Sequence, residues 1–541
     1  MTRSRTMAPA CAAGRSATLL GSVAAALAFY GSVPGTLRAD DGEHPLSRVR
    51  AVGPRPVSGD TGPEGEGTDH ALRLSDEAIP FEDFGKDLPR RPRTITEVVD
   101  DSLFPENVER RKLLQARPLN DRHTEVPERE SLFGRDRFLA AGPVDSGIQL
   151  DTGARWRPSF LSFGTFRSAG QSYEAAGGKR ATEWANRLDL FGNLYLTSTE
   201  RLLVGFRPLD DEGVFTGVAG GPGTRREGFT NGLNFEPTTF FFEGFFDELF
   251  PNLDPGDHRG LDFGFSVGRQ PIFLQDGILA DDSIDSIGIT KHNLFRMNAS
   301  ASRISAFAGF NELHRNDNRR DSSARFFALS GTFDYPGMTL ELDAAYVNGS
   351  AARGGDGAYF GIGHLAQLGY WHSTSRLNAS FAMNSRNTDA VADGWLLTHQ
   401  LSRTLPFNED VLTFSTFYEI DNYTSAARGP ATGGPLGGFS LLHRAVGIGT
   451  YGPPIETGAG DLFGLGVSYQ HFFDEEESRQ VLIALGGSGR TGSGDEFTSA
   501  LALHYQQALT HNLIWSVGGF ASVTDEGDKG FGARTELLRK F

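Results

Sequence analysis

After about residue 145, apolar residues recur at every second position. In RLDLFGNLYL, Leu188, Leu190, Leu194 and Leu196 share one face, and Arg187, Asp189 and Asn193 share the other. TLELDAAY sets Leu340, Leu342, Ala344 and Tyr346 against Glu341, Asp343 and Ala345. The closing stretch GFGARTELLRKF places Phe531, Ala533, Thr535, Leu537 and Phe541 on one parity, with Arg534, Glu536 and Lys540 on the other. A period of two marks a strand with one oily and one wet face. Segments near ten residues are long enough for tilted strands to cross a bilayer.

Traced back from the carboxyl end with alternating directions, the pattern predicts about 18 strands, and 16–20 would satisfy it. Several connections on one rim are short, such as Ser198–Thr199 and Tyr335–Pro336–Gly337. Those on the other rim include NGSAARGGDGA and a long excursion over 424–457, which has room for two further strands. Backbone polar groups cannot stay unpaired in hydrocarbon, and a closed sheet pairs them all and leaves no edge. The expectation is therefore all-β: a transmembrane antiparallel β-barrel over 146–541 with charged residues turned inward. The phenylalanines of NFEPTTFFFEGFFDELF fall on both parities and fit no simple two-face rule.

Composition adds a destination. Arg3, Arg5 and Arg15 precede the apolar run ATLLGSVAAALAFYGSV, and LRA at 37–39 supplies a small-residue cleavage site. Residues 1–39 thus read as a secretory signal peptide. The sole cysteine, Cys11, precedes the apolar run, so a mature chain would have neither disulfides nor thiolate metal sites. Removal of 1–39 leaves 47 basic against 68 acidic residues, a formal charge of −21, which disfavours nucleic-acid binding. Residues 40–145 are rich in proline, glycine and charge, and read as a periplasmic extension or partial plug. The predicted location is the bacterial outer membrane, among lipid and lipopolysaccharide, reached through the barrel-assembly machinery.

Inward charges supply the candidate chemistry. Arg187, Asp189, Asp262, Arg303, Glu341, Asp343, Glu419, Asp421, Arg534 and Glu536 are candidate pore-lining residues. They either pair across the lumen to hold it open or form a charged constriction. The 13 histidines show no spaced metal motif, and DDSIDS at 281–286 offers calcium ligands without the EF-hand order. GSGRTGSGDE lacks the lysine of a P-loop, and no serine–histidine pair stands out. No enzyme activity, cofactor or metal site is predicted.

The alternating final strand ending in Phe541 resembles outer-membrane porins assembled through a carboxyl-terminal aromatic signal. FSVGRQPIF, with Gly268, Arg269 and Gln270, resembles a segment of the alginate-export and related porin family. That resemblance implies an 18-stranded channel for small or polymeric hydrophilic material. The expected function is a porin or export channel working by passive diffusion. The alternative is a structural barrel scaffold that docks a periplasmic or surface protein complex, with 40–145 as its docking segment.

Overall fold

A computed structural model describes residues 147–541, apart from 225–226, 257, 296, 384–387, 406–408, 456, 458–459, 475–476 and 492–496. The expected signal peptide and extension lie outside the described residues. The wall begins with β1 (Ser159–Glu174) and β2 (Ala181–Tyr195). Two interrupted strands follow, β3 (Arg201–Phe206 and Val214–Gly220) and β4 (Gly228–Thr230 and Pro237–Phe245). Next come β5 (Phe263–Leu274), β6 (Ala280–His292), β7 (Ala301–Phe310), β8 (Arg325–Tyr335) and β9 (Met338–Asn348). Then come β10 (Gly357–Leu368), β11 (Trp371–Ala382), β12 (Gly394–Thr404), β13 (Val411–Asp421) and β14 (Leu462–Phe472). The wall ends with β15 (Arg479–Arg490), β16 (Phe497–Ala508), β17 (Leu513–Thr524) and β18 (Lys529–Lys540).

Each strand pairs antiparallel with its neighbour. β18 closes on β1 from Phe531↔Glu174 to Lys540↔Thr165. The 18 strands expected from alternation are the 18 of the wall. Phe541 extends the seam, since its N–H donates to Gly164 O (3.1 Å) and its own carbonyl accepts from Gly164 N (2.9 Å). Gly164 leaves room for this: a Cβ there would lie 2.8 Å from the Phe541 ring and would overlap the Asp189 carbonyl.

The outer parity is apolar and bare. Trp184, Ile287, Leu329, Phe360, Leu465 and Leu501 are exposed large hydrophobics on β2, β6, β8, β10, β14 and β16, spread around the wall. Strands of 11 or 12 residues, tilted by roughly 45°, rise about 25 Å, the height of the apolar band on a membrane barrel. Toward the short-turn rim, Phe473, Tyr505 and Trp515 meet edge-on with centroids 6.1 and 6.0 Å apart. Aromatic girdles of this kind sit at the membrane interface, and short turns mark the periplasmic side. The phenylalanine-rich segment resolves strand by strand. Phe240 is exposed outward, Phe241 is buried inward, and Phe246 and Phe250 leave the sheet in a helical turn.

Two segments turn into the lumen. β5 pairs with β4 only up to Arg269↔Phe240, and β6 pairs with β7 only from Asp285↔Phe310. Beyond that row, residues 270–284 form a hairpin paired to itself and curled inward. Gly268, at φ 124°, permits the bend, because a Cβ there would overlap the Phe240 carbonyl. Pro271 has no N–H for a ladder, which restricts it to an edge. Ile272, Leu274 and Ile284 pack against Phe326, Val347 and Tyr359 in an apolar core inside the barrel.

The second segment is the excursion 422–461. Among its described residues the one strand is Ala427–Arg428, which runs parallel to Ala280–Asp281. No further wall strand lies within its described residues.

Candidate functional site

The excursion and the hairpin narrow the lumen, and the charges cluster around them. On one side β1, β2, β3 and β18 bring four guanidiniums together. Arg187 donates to both Asp189 oxygens (2.9 and 3.0 Å) and to Gly447 O of the excursion (2.6 Å). Arg207 donates to Asp189 Oδ1 at 2.9 Å. Arg167 grips Glu536 at 2.7 and 3.2 Å and reaches Val446 O at 3.0 Å. Arg534 pairs with the same Glu536. Asp210 lies 3.4 Å from Arg207, so four cations stand against three carboxylates and leave this face with a small positive excess. The arginine contacts to excursion carbonyls fasten 446–447 to the wall.

The facing cluster lies under the hairpin tip. Arg376, only 3% exposed, pairs with Asp276 (2.8 Å) and with Glu341. Gln275 donates to Asp343 at 2.6 Å. Gln275 and Asp276 both hold left-handed backbone, φ 53° and 54°, at a cost of about 1–2 kcal/mol each. Their polar contacts oppose that cost and fix the tip over β9 and β11.

The excursion borders three spaces, two of which lie beside the charge clusters. One, about 1060 Å³, is lined by Arg187, Arg207, Arg269, Glu312 and Gly429–Thr432. The other, about 730 Å³, is lined by Phe273, Arg376, Thr398, Arg428 and Phe439. Arg428, 2% exposed, donates to Gly277 O (2.7 Å), Gly433 O (2.9 Å) and Thr432 O (3.1 Å). Its N–H donates to His314 O at 3.0 Å. The His314 ring lies 3.0 Å from Asp282. Burial opposes charge on that ring, but the Asp282 carboxylate raises its pKa above the ordinary value. His443, packed edge-on against Phe417 at 5.2 Å and bonded to Ser440 Oγ at 2.8 Å, is pushed down to about 4 by burial.

Of the sequence candidates, Arg187 and Asp189, Arg534 and Glu536, and Glu341 with Asp343 come together in these two clusters. Glu419 is buried under the excursion, accepting from Tyr423 N at 3.0 Å. Asp421 is exposed at the mouth, where φ 56° ends β13. Asp262 pairs with Lys291 at the short-turn rim. Arg303 is exposed, on the parity of Phe307 and Gly309. Within the family-like motif, Arg269 pairs with Asp285 (2.8 Å) and Gln270 donates to Ser286 Oγ (2.9 Å). The carboxylates of DDSIDS diverge: Asp282 faces His314 and Asp285 faces Arg269. Alternation alone did not single out Arg167, Arg207, Arg376 or Arg428. Arg167 and Arg376 share the inward parity of their strands and could have been found that way.

No family model and no curated protein matches the chain. Solved structures do resemble it. OccAB3 of Acinetobacter baumannii matches at 9% identity and TM-score 0.47, covering 71% of this chain and 99% of that one. OccK7 (OpdD) of Pseudomonas aeruginosa matches at 11% and 0.46, covering 71% and 98%. OccK2 (OpdF) of the same organism matches at 11% and 0.46, covering 71% and 97%. These are Occ proteins rather than alginate-export proteins. The likeness is loose, and the wall speaks for itself: an antiparallel barrel of 18 strands, closed and belted with apolar side chains, is an outer-membrane β-barrel of porin type.

Proposed function

We propose that the chain is a passive outer-membrane channel for hydrophilic solutes. Hairpin 270–284 and excursion 422–461 set its width. The observation that carries this reading is the lumen's content. Paired charges and two open spaces flank the excursion, where a sealed barrel would hold a continuous apolar core. Inward charge and folded loops are the ordinary controls on pore selectivity. The Arg167–Arg534 side of this cluster, away from the space lined by Glu212, Glu236 and Glu312, suits solutes that present an anionic group to β1 and β18 while water and the facing acids solvate the rest.

Conductance of the purified protein in planar bilayers tests the proposal. The wild type should pass ion current in discrete steps. Arg428→Ala, which frees the excursion from Gly277, Gly433 and Thr432, should raise the step size by about twofold. An insulating barrel that copurifies with one protein would favour the scaffold reading instead.

A further inference from the structure

Phe240, Arg269, Asp285 and Phe310 lie in one row across β4, β5, β6 and β7. Four strands span three spacings, about 14 Å. Above this row the two middle strands leave for the lumen, and among the described residues no ladder joins β4 to β7. The upper piece of β4 still pairs with β3 on its other side, with Phe229 opposite Val218 and Val218 opposite Trp184. All three side chains are exposed on the outer face, Phe229 at 72%. The wall therefore carries a notch in which, among the described residues, one edge of β4 has no ladder partner, beside the exposed apolar side chains of Phe229, Val218 and Trp184. A sheet edge at that depth is tolerated only where it lines a water-filled cavity or is covered by protein.

A cavity does lie behind it. The 1060 Å³ space is lined by Arg187, on the lumen parity of β2, and by Arg269, which shares the outer parity of the exposed Val267. Residues of opposite faces line one cavity only where the wall between them is interrupted. Arg269 floors the notch, bonded to Asp285, to Pro237 O (2.9 Å) and to Glu312 (3.4 Å). Three arginines and six carboxylates line the cavity, and Arg320 pairs with Glu212 and Glu312, so four guanidiniums against six carboxylates leave an acidic excess. Outside, Leu233 and Phe235 continue the exposed apolar rim from Phe229.

We propose that this notch is a lateral portal through which a cationic amphiphile passes between the outer leaflet and the lumen. The ammonium head occupies the acidic cavity, and the alkyl chain lies along Phe229, Leu233 and Phe235. The proposal uses the same lumen as the channel reading but does not depend on small-ion conductance.

The full-length protein in nanodiscs is titrated with dodecyltrimethylammonium, tetramethylammonium and dodecanoate. The first should bind at least about tenfold more tightly than either other probe. Glu212→Lys with Glu236→Lys, both exposed at the rim, should weaken it by about tenfold; Phe235→Asn, outside the cavity lining, should weaken it while sparing tetramethylammonium and bilayer conductance. Bimane on Ser283→Cys, which lines the cavity, should be quenched by lipids brominated in their acyl chains. Equal binding of dodecanoate, absence of quenching, or a dimer that covers the edge would each overturn the portal. Conductance without amphiphile selectivity defeats the portal alone. Selective binding by an insulating barrel defeats the channel alone.

Discussion

Asp189 sits between two guanidiniums at 2.9 Å, with 8% of its surface exposed. Asp189→Asn keeps the shape and removes the charge, leaving Arg187 and Arg207 facing each other. The expected cost is about 2 kcal/mol, on the low side for a buried pair because lumen water reaches the arginines. Under a salt gradient the reversal potential should move toward anion preference. An unchanged potential would place this cluster off the conduction path. At the seam, Gly164→Val forces a Cβ branch into the Phe541 ring and the Asp189 carbonyl. Refolding yield into vesicles should fall, and the unfolding temperature with it, while single-channel conductance of the folded fraction stays the same. These pairings were legible in part. Alternation showed that Arg187 and Asp189 point inward, but Arg207 lies just past the first piece of β3, and no periodicity brings it to Asp189.

Among the elements, the excursion holds the clearest pH response. With its pKa pushed down to about 4, His443 is neutral at neutral pH, wedged against Phe417 and Phe439. An unfolded histidine binds its proton near 6.5. The folded arrangement is therefore fully favoured above pH 6.5 and loses stability as pH falls from there to about 4, by roughly 3 kcal/mol in total. Acidification across that window should loosen the excursion and increase conductance or its noise, and His443→Phe should abolish the response. His314 runs the other way. Its raised pKa makes its contribution complete below about 6.5 and lost as pH rises through the elevated native value. The two histidines thus act on the excursion from opposite ends of the pH range. The wall strands were readable because lipid on one side and water on the other impose a strict period of two. The alternation of Leu340 and Leu342 against Glu341 and Asp343 lies within β9, as that period requires. The hairpin was not readable: alternation continues through Gln270–Leu274 even though the face that packs changes from lipid to protein. For the same reason β6, which starts at Ala280, shows no break in its pattern where it passes from the hairpin into the wall.

For the whole molecule, everything turns on the two faces of one sheet meeting different solvents. A matched pair of arginine substitutions separates them. Leu329, mid-strand on β8 and 54% exposed, lies on the lipid parity. Thr374, on β11, lines the 730 Å³ space two residues before Arg376. At the bilayer midplane, arginine on the lipid face costs about 2–4 kcal/mol, whereas substitutions on the lumen face tune permeation. Leu329→Arg should therefore lower the folded fraction in vesicles and leave the conductance of each folded barrel unchanged. Thr374→Arg should fold normally and conduct less, because it places a fifth long cation-bearing or aromatic side chain beside Phe273, Arg376, Arg428 and Phe439 in the narrowed lumen. A barrel in which Leu329→Arg folds as well as the wild type, while Thr374→Arg fails to insert, would have its wet and oily sides reversed. Neither the channel nor the portal would survive that result.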